Sequence, residues 1–270
     1  MTIHLGTIKR ILLGTAVAAS VALLAACGNS KSSSTSSFKD DLINKNELTV
    51  GLEGTYAPYS YRKDGKLVGF EVDLGKALAK QLGVKAKFAP TKWDSLIAGL
   101  GSGKFDVVLN NIVQTPERAK SYLFSSTYAY SHYVLISPSS KPLTKISQIK
   151  GKKFGQSTGS DNATVAKKNG ATVVPVEQFS TILDMVKDGR LDGTINALPS
   201  WYAYKQQSAT SGLKMTQLPD SAAAPAKTAA LINKKDTKLQ KRINKALAVL
   251  KKNGTTKKIS EKYFGTDITK

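Results

Sequence analysis

Arg118 is the side chain best suited to hold an anion, and its setting says how. It ends the run Asn110-Asn111-Ile112-Val113-Gln114-Thr115-Pro116-Glu117-Arg118. Thr115 is a good N-cap and Pro116 a good first helical residue, so a helix begins here. A cation in the first turn opposes the helix dipole by roughly a few tenths of a kcal/mol. Gripping a carboxylate jointly with the free backbone N–H groups offsets that misfit, with bidentate geometry from the guanidinium. A surface ion pair with Glu117 is the plainer alternative.

A second helix start has related chemistry. Gly155-Gln156-Ser157-Thr158-Gly159-Ser160-Asp161-Asn162 joins an apolar run to a helical pattern through small, hydroxyl-bearing residues. Capping alone accounts for much of this composition. Together, however, the two helix starts suit a small zwitterion held between them. Aromatic residues stand nearby in the chain. Glu53-Gly54-Thr55-Tyr56-Ala57-Pro58-Tyr59-Ser60-Tyr61 follows a short apolar run. Tyr59 and Tyr61 are expected in the core. Glu53 and Tyr56 fall at the strand's carboxyl end, where open α/β sheets place ligands. Trp93 opens a helix and either stacks on an apolar or cationic part of a ligand or acts as a hydrophobic staple.

The elements that must position these residues follow from periodicity. Leu48–Leu52 reads as a strand, Asp64-Gly65 as a turn, and 71–82 as a helix with Leu74, Leu78 and Leu82 on one face. Gly83 suits its C-cap. A strand at 85–88, a helix at 93–100 and a strand at 106–109 come next, with Leu96, Ile97 and Leu100 serving the core. Tyr128–Ile136 reads as one connecting strand. A second series runs helix 145–149, strand 152–155, helix 161–168, strand 172–175, helix 178–187, strand 192–195 and helix 199–206. A strand at 228–232 and helices at 237–252 and 254–262 complete the chain. Two blocks of alternating strands and helices imply two α/β lobes, and a chain that crosses twice between them has a hinge and a cleft.

The amino-terminal segment reads as a targeting signal. Lys9 and Arg10 precede an apolar run that ends Leu24-Ala25-Ala26-Cys27. The run is short for a hydrocarbon core of about 30 Å and ends in small residues, which fits a signal peptide over a membrane span. Residues 28–38 are nearly all small and polar and suit a flexible tether. Cys27 is the single cysteine, so the body has no disulfide, thiolate nucleophile or cysteine-based metal site. The net charge of +21 falls to +19 once Lys9 and Arg10 leave with the signal. Export argues against nucleic acid as the partner of that charge; an anionic envelope polymer or lipid surface, or simply a solvated lysine-rich surface, fits better.

Several motifs taken together resemble the family 3 extracellular solute-binding proteins, the polar amino-acid receptors of ATP-driven importers. They are Gly54-Thr55-Tyr56-Ala57-Pro58-Tyr59, Gly69-Phe70-Glu71-Val72-Asp73-Leu74-Gly75-Lys76-Ala77, Trp93-Asp94-Ser95-Leu96-Ile97-Ala98-Gly99-Leu100, Thr115-Pro116-Glu117-Arg118 and Lys262-Tyr263-Phe264-Gly265. The resemblance implies a two-lobed α/β fold of the type 2 periplasmic-binding-protein kind, its two crossover strands forming the hinge. It divides the chain into a signal peptide at 1–26, a lipidated Cys27 with its tether to 38, a first lobe at 39–131 and 225–270, and a second lobe at 132–224. It assigns Arg118 to a ligand α-carboxylate and Tyr56 and Trp93 to a sandwich around the ligand. It gives Asn110, Asn111 and Val113 mainly backbone roles, makes Ser157, Ser160 and Asp161 second-lobe contacts, and makes Glu53 an acid for the ligand side chain or amine.

Leu24-Ala25-Ala26-Cys27 itself resembles a bacterial lipobox, which implies a lipid anchor at the outer face of the cytoplasmic membrane. Gly28, the serine-rich tether and the lysine usage suggest a Gram-positive surface. One position departs from the family: Ala197 stands where an aspartate usually pairs with the ligand ammonium, so Glu53 or Asp161 substitutes or the ligand differs. The 93–100 and 156–160 stretches are most similar to the cystine-binding subgroup, including basic surface proteins of lactic acid bacteria. That makes cystine the leading ligand and an ABC permease the partner, with no cofactor. The alternatives are a basic adhesin for host matrix or anionic cell-wall polymer, and an enzyme of the cyclohexadienyl dehydratase kind. The second is disfavoured because only His132 remains in the body and no activated nucleophile is visible.

Overall fold

The computed structural model describes residues 38–270. The signal-peptide, Cys27 lipidation and tether readings at 1–37 lie outside the described residues. Phe38, grouped with the tether by its polar neighbours, opens a short 3-10 turn (Phe38–Asp40) and is only 9 % exposed. The Arg242 guanidinium lies 4.2 Å from its ring centroid. An aromatic side chain in a polar run is buried wherever an apolar surface lies within reach.

The first lobe is built on a five-stranded sheet. Strand β1 (Glu47–Leu52) lies parallel between β4 (Lys85–Pro90) and β5 (Val107–Val108), the central strand. Two later strands extend it antiparallel, β14 (Leu231–Asn233) beside β5 and β6 (Tyr122–Phe124) beside β14. Side chains alternate across this sheet. Val107 and Ile232 enter one core, under α1 (Phe70–Leu82), α7 (Thr237–Lys252) and α8 (Thr255–Phe264). Val108 and Leu231 enter the opposite core, under α2 (Trp93–Gly101) through Leu96 and Leu100. Gly83 closes α1 in the left-handed conformation at φ 70°. The hairpin of β2 (Tyr61–Lys63) and β3 (Lys66–Val68) turns at Asp64-Gly65, both with positive φ.

The second lobe centres on β8 (Tyr133–Pro138), antiparallel to β11 (Thr194–Ala197) and β12 (Leu213–Gln217). The parallel pair β9 (Lys153–Gln156) and β10 (Thr172–Pro175) joins it through a bridge between Phe154 and Gly193. Helix α4 (Asp161–Lys168) packs with Phe154, Leu135 and Ile195. Val134 and Ile136 point the other way, to Leu183 of α5 (Phe179–Lys187) and Trp201 of α6 (Leu198–Gln207).

Two strands cross between the lobes and pair with each other: β7 (Ala129–Ser131) and β13 (Ala226–Thr228), antiparallel. Here the structure corrects two strand readings. The run 128–136 breaks at His132, and the run 228–232 breaks at Ala229-Ala230. At each break the chain changes pairing partner, from the hinge to a lobe sheet, and alternation along a strand carries no trace of that change. Two second-lobe strands also end later than periodicity predicts. β9 runs on to Gln156 and β11 to Ala197, which carries Gln156 and Asn196 to the cleft.

Candidate functional site

The cleft is assembled from chain that leaves the carboxyl ends of the parallel strands. β1 ends at Leu52 and releases Glu53, whose backbone N–H donates to Asn110 Oδ1 at 2.8 Å while Asn110 Nδ2 donates to Glu53 Oε2 at 2.7 Å. Burial raises the Glu53 pKa, the Asn110 bond opposes that rise, and the Glu177 carboxylate adds to it. Tyr59 is fully buried, as expected, and Tyr56 stacks on it with ring centroids 5.3 Å apart. Tyr61 is half-buried at the start of β2.

Helix α3 (Pro116–Ser121) begins as its sequence requires, with Thr115 Oγ1 accepting from the Arg118 N–H at 3.2 Å. The alternative ion pair does not form: Glu117 pairs with Lys120 at 2.8 Å. Arg118 instead turns back, donating from Nη1 to the Val113 carbonyl at 2.9 Å and from Nη2 to the Gly159 carbonyl of the second lobe at 3.1 Å. Its guanidinium lies 5.6 Å from the Trp93 ring centroid. Trp93 is half-buried against the α2 core and donates from Nε1 to the Thr158 carbonyl at 2.7 Å.

On the second lobe, Ser160 serves as the N-cap of α4, its Oγ accepting from the Ala163 N–H at 3.0 Å. Ser157 Oγ donates to the Glu177 carbonyl at 2.9 Å. Asp161 accepts from the Tyr133 hydroxyl at 3.0 Å. Burial raises the Asp161 pKa and lowers that of Arg118, and each charge counters the shift of the other. Ala197 precedes α6 with its N–H held by Asn196 Oδ1 at 2.7 Å, so no carboxylate stands at that position.

Among the described residues, hydrogen bonds at three first-lobe side chains bridge the lobes: Trp93 to Thr158, Arg118 to Gly159, and the Tyr56 hydroxyl, which donates to Asn196 Oδ1 and accepts from Ser200 Oγ, each at 2.8 Å. The lobes are therefore closed. Glu53, Tyr56, Trp93, Asn110, Asn111, Ser157, Ser160 and Asp161 all line the cleft; Val113 and Arg118, bonded to each other, are not among the residues that line it. Cys27 lies outside the described residues. Sequence reasoning missed Gln156, Glu177, Gln178, Phe179 and Asn196, which also line it. Asn196 adjoins the position that already stood out at Ala197. Glu177, just before α5, carries no motif. Three carboxyls line the cleft, from Glu53, Asp161 and Glu177, and the Arg118 guanidinium interacts electrostatically with one of them, Asp161. Among the described residues no group of three His, Cys, Asp or Glu is placed to hold a metal ion.

Known proteins share both sequence and shape with this chain. The L-cystine-binding protein TcyA of Bacillus subtilis strain 168 is 37 % identical over 271 residues, covering 97 % of this chain and 100 % of the relative. An ancestral arginine-binding protein bound to arginine is 34 % identical with a TM-score of 0.74, covering 82 % of this chain and 99 % of its own. The L-cystine solute receptor of Neisseria gonorrhoeae in its unliganded open conformation is 36 % identical, over 83 % of this chain and 95 % of its own, yet its TM-score is 0.55. The arginine-bound structure overlays better than the open one despite its lower identity. Residues 48–266 match the bacterial extracellular solute-binding proteins, family 3, and this chain belongs to that family.

Proposed function

We propose that this chain is the exported receptor of an ABC importer and traps one polar amino acid, L-cystine foremost, between its lobes for delivery to a membrane permease. The observation that carries the reading is a charge layout: the Arg118 guanidinium, bonded across the lobes and interacting with Asp161, and a cleft lined by the carboxyls of Glu53, Asp161 and Glu177. A zwitterion presents a carboxylate to the first and an ammonium to the second. Arg118 holds the carboxylate, and Tyr56 and Trp93 enclose the body of the ligand. Asn110, Asn111 and Val113 offer backbone groups, and Ser157 and Ser160 add contacts from the second lobe.

With Ala197 in place of an acid, Glu53 and Asp161 take the ammonium, and Glu177 stands as a third partner. Cystine carries two ammonium and two carboxylate groups, so it uses several acids at once, and the name of the relative TcyA supports the same ligand. Lipid on Cys27 holds the receptor at the outer face of the cytoplasmic membrane. Receptors in this family carry no turnover chemistry of their own in this reading.

A thermal-shift panel of the common amino acids with L-cystine tests the function. Binding to the folded state alone stabilises by about 2.7 kcal/mol at a hundred times Kd. One or a few amino acids should therefore raise Tm by several degrees in a concentration-dependent way. A well-folded protein whose Tm no amino acid moves contradicts the reading.

A further inference from the structure

Glu71 is fully buried, with no exposed surface, in the core behind the cleft. It sits on the first turn of α1, yet its carboxyl is used elsewhere. Oε1 accepts from the Asn111 backbone N–H at 2.6 Å and also from the Tyr128 hydroxyl. Oε2 is buried and has no partner. Asn111 is one of three non-glycine residues with positive φ among the described residues, at 48°, a left-handed conformation that needs support. Its side-chain Oδ1 accepts from Thr228 Oγ1 at 3.0 Å. Tyr128 immediately precedes hinge strand β7, and Thr228 ends hinge strand β13. The Asn111 peptide, which lines the cleft, is thereby tied to the roots of both crossover strands.

We propose that Glu71 is a positioning residue of the binding site: its Oε1 holds Asn111 in the left-handed conformation and joins this edge of the cleft to the hinge through Tyr128. The proposal deepens the amino-acid-receptor reading and rests on it. Oε1 thus carries both bonds that fix the Asn111 peptide and Tyr128, and Oε2 carries none. Burial raises the Glu71 pKa to about 7, although the Tyr128 and Asn111 bonds pull it down, and nearby Glu53 adds to the rise. The titratable groups that bear on it are Tyr128, Tyr59 and Glu53. Because this folded-state value is raised, the stability the neutral carboxyl contributes is complete below the ordinary carboxylate range and is lost as pH rises through about 7.

Glu71→Gln keeps a carbonyl for both donors, whereas Glu71→Leu removes it. Calorimetry with L-cystine on the full chain near neutral pH should find Glu71→Gln within about threefold of wild type and Glu71→Leu about tenfold weaker or more, the scale of one buried hydrogen bond. In the ligand-free protein, amide hydrogen exchange at Asn111 should accelerate by about tenfold or more in Glu71→Leu and stay unchanged in Glu71→Gln. If Glu71→Leu does not fold, the pH titration of the Asn111 amide resonance decides: it moves with a midpoint at about 7 in wild type and is flat in Glu71→Gln. Equal loss of affinity in both variants, unchanged exchange in Glu71→Leu, or a wild-type resonance that does not titrate overturns the proposal. The exchange and titration need no ligand, so they decide the role of Glu71 even if L-cystine and every other amino acid fail to bind.

Discussion

The Tyr56 hydroxyl donates to Asn196 and accepts from Ser200, so one ring on the first lobe holds a strand end and a helix start on the second. Tyr56→Phe removes both bonds and keeps the stack on Tyr59. Asn196 Oδ1 retains the Ala197 N–H, so the loss is partial. Calorimetry should show amino-acid affinity weakened by roughly threefold to tenfold, about 1 kcal/mol, with the Tm of the unliganded protein nearly unchanged. Cleft-lining residues were legible where type and spacing state a chemistry, as for Glu53 and Tyr56 after a strand. Gln156 and Asn196 were not. Each reaches the cleft only because its strand runs further than periodicity predicts, and a glutamine or asparagine in an apolar run has no distinctive pattern. The function of Ser160 was half-legible, since its observed bond is the cap that its residue type had already suggested.

At the scale of elements, the start of α3 matters most. Thr115 caps the backbone of the same residue whose guanidinium crosses the cleft. Thr115→Ala should cost about 1 kcal/mol in urea denaturation, the usual loss of an N-cap. It should also weaken amino-acid binding, because a frayed first turn lets Arg118 wander. A variant with reduced stability and unchanged affinity would separate the cap from the site. Helices were read well: 161–168 and 237–252 match α4 and α7, since apolar residues at helical spacing mark a buried face directly. The helix at 145–149 tightened to a 3-10 turn (Ile146–Ile149), where Gln148 Oε1 accepts from the Thr144 and Lys145 N–H groups. The hinge was misread as longer strands because the switch of partner at His132 and at Ala229-Ala230 is a tertiary event.

At the scale of the whole molecule, two lobes joined by a short pair of antiparallel strands can close only if the contacts across the cleft outweigh those within an open state. The bridges from Tyr56, Trp93 and Arg118 supply part of that difference, and an amino acid between them supplies the rest. Anchoring concerns the whole chain as well. Cys27→Ser should release a protein that binds amino acid like wild type but no longer supports efficient uptake by cells, measured with radiolabelled L-cystine. Uptake unaffected by the change would exclude a lipid anchor as the device that keeps the receptor near its permease. Arg118 is proposed to hold one amino acid in the cleft. Titration calorimetry of wild type and Arg118→Ala with L-cystine tests it most directly. Wild type should bind one-to-one, and the folded variant should bind about a hundredfold or more weaker, as expected when a bidentate charged contact is removed. Equal affinity in the two proteins would contradict it.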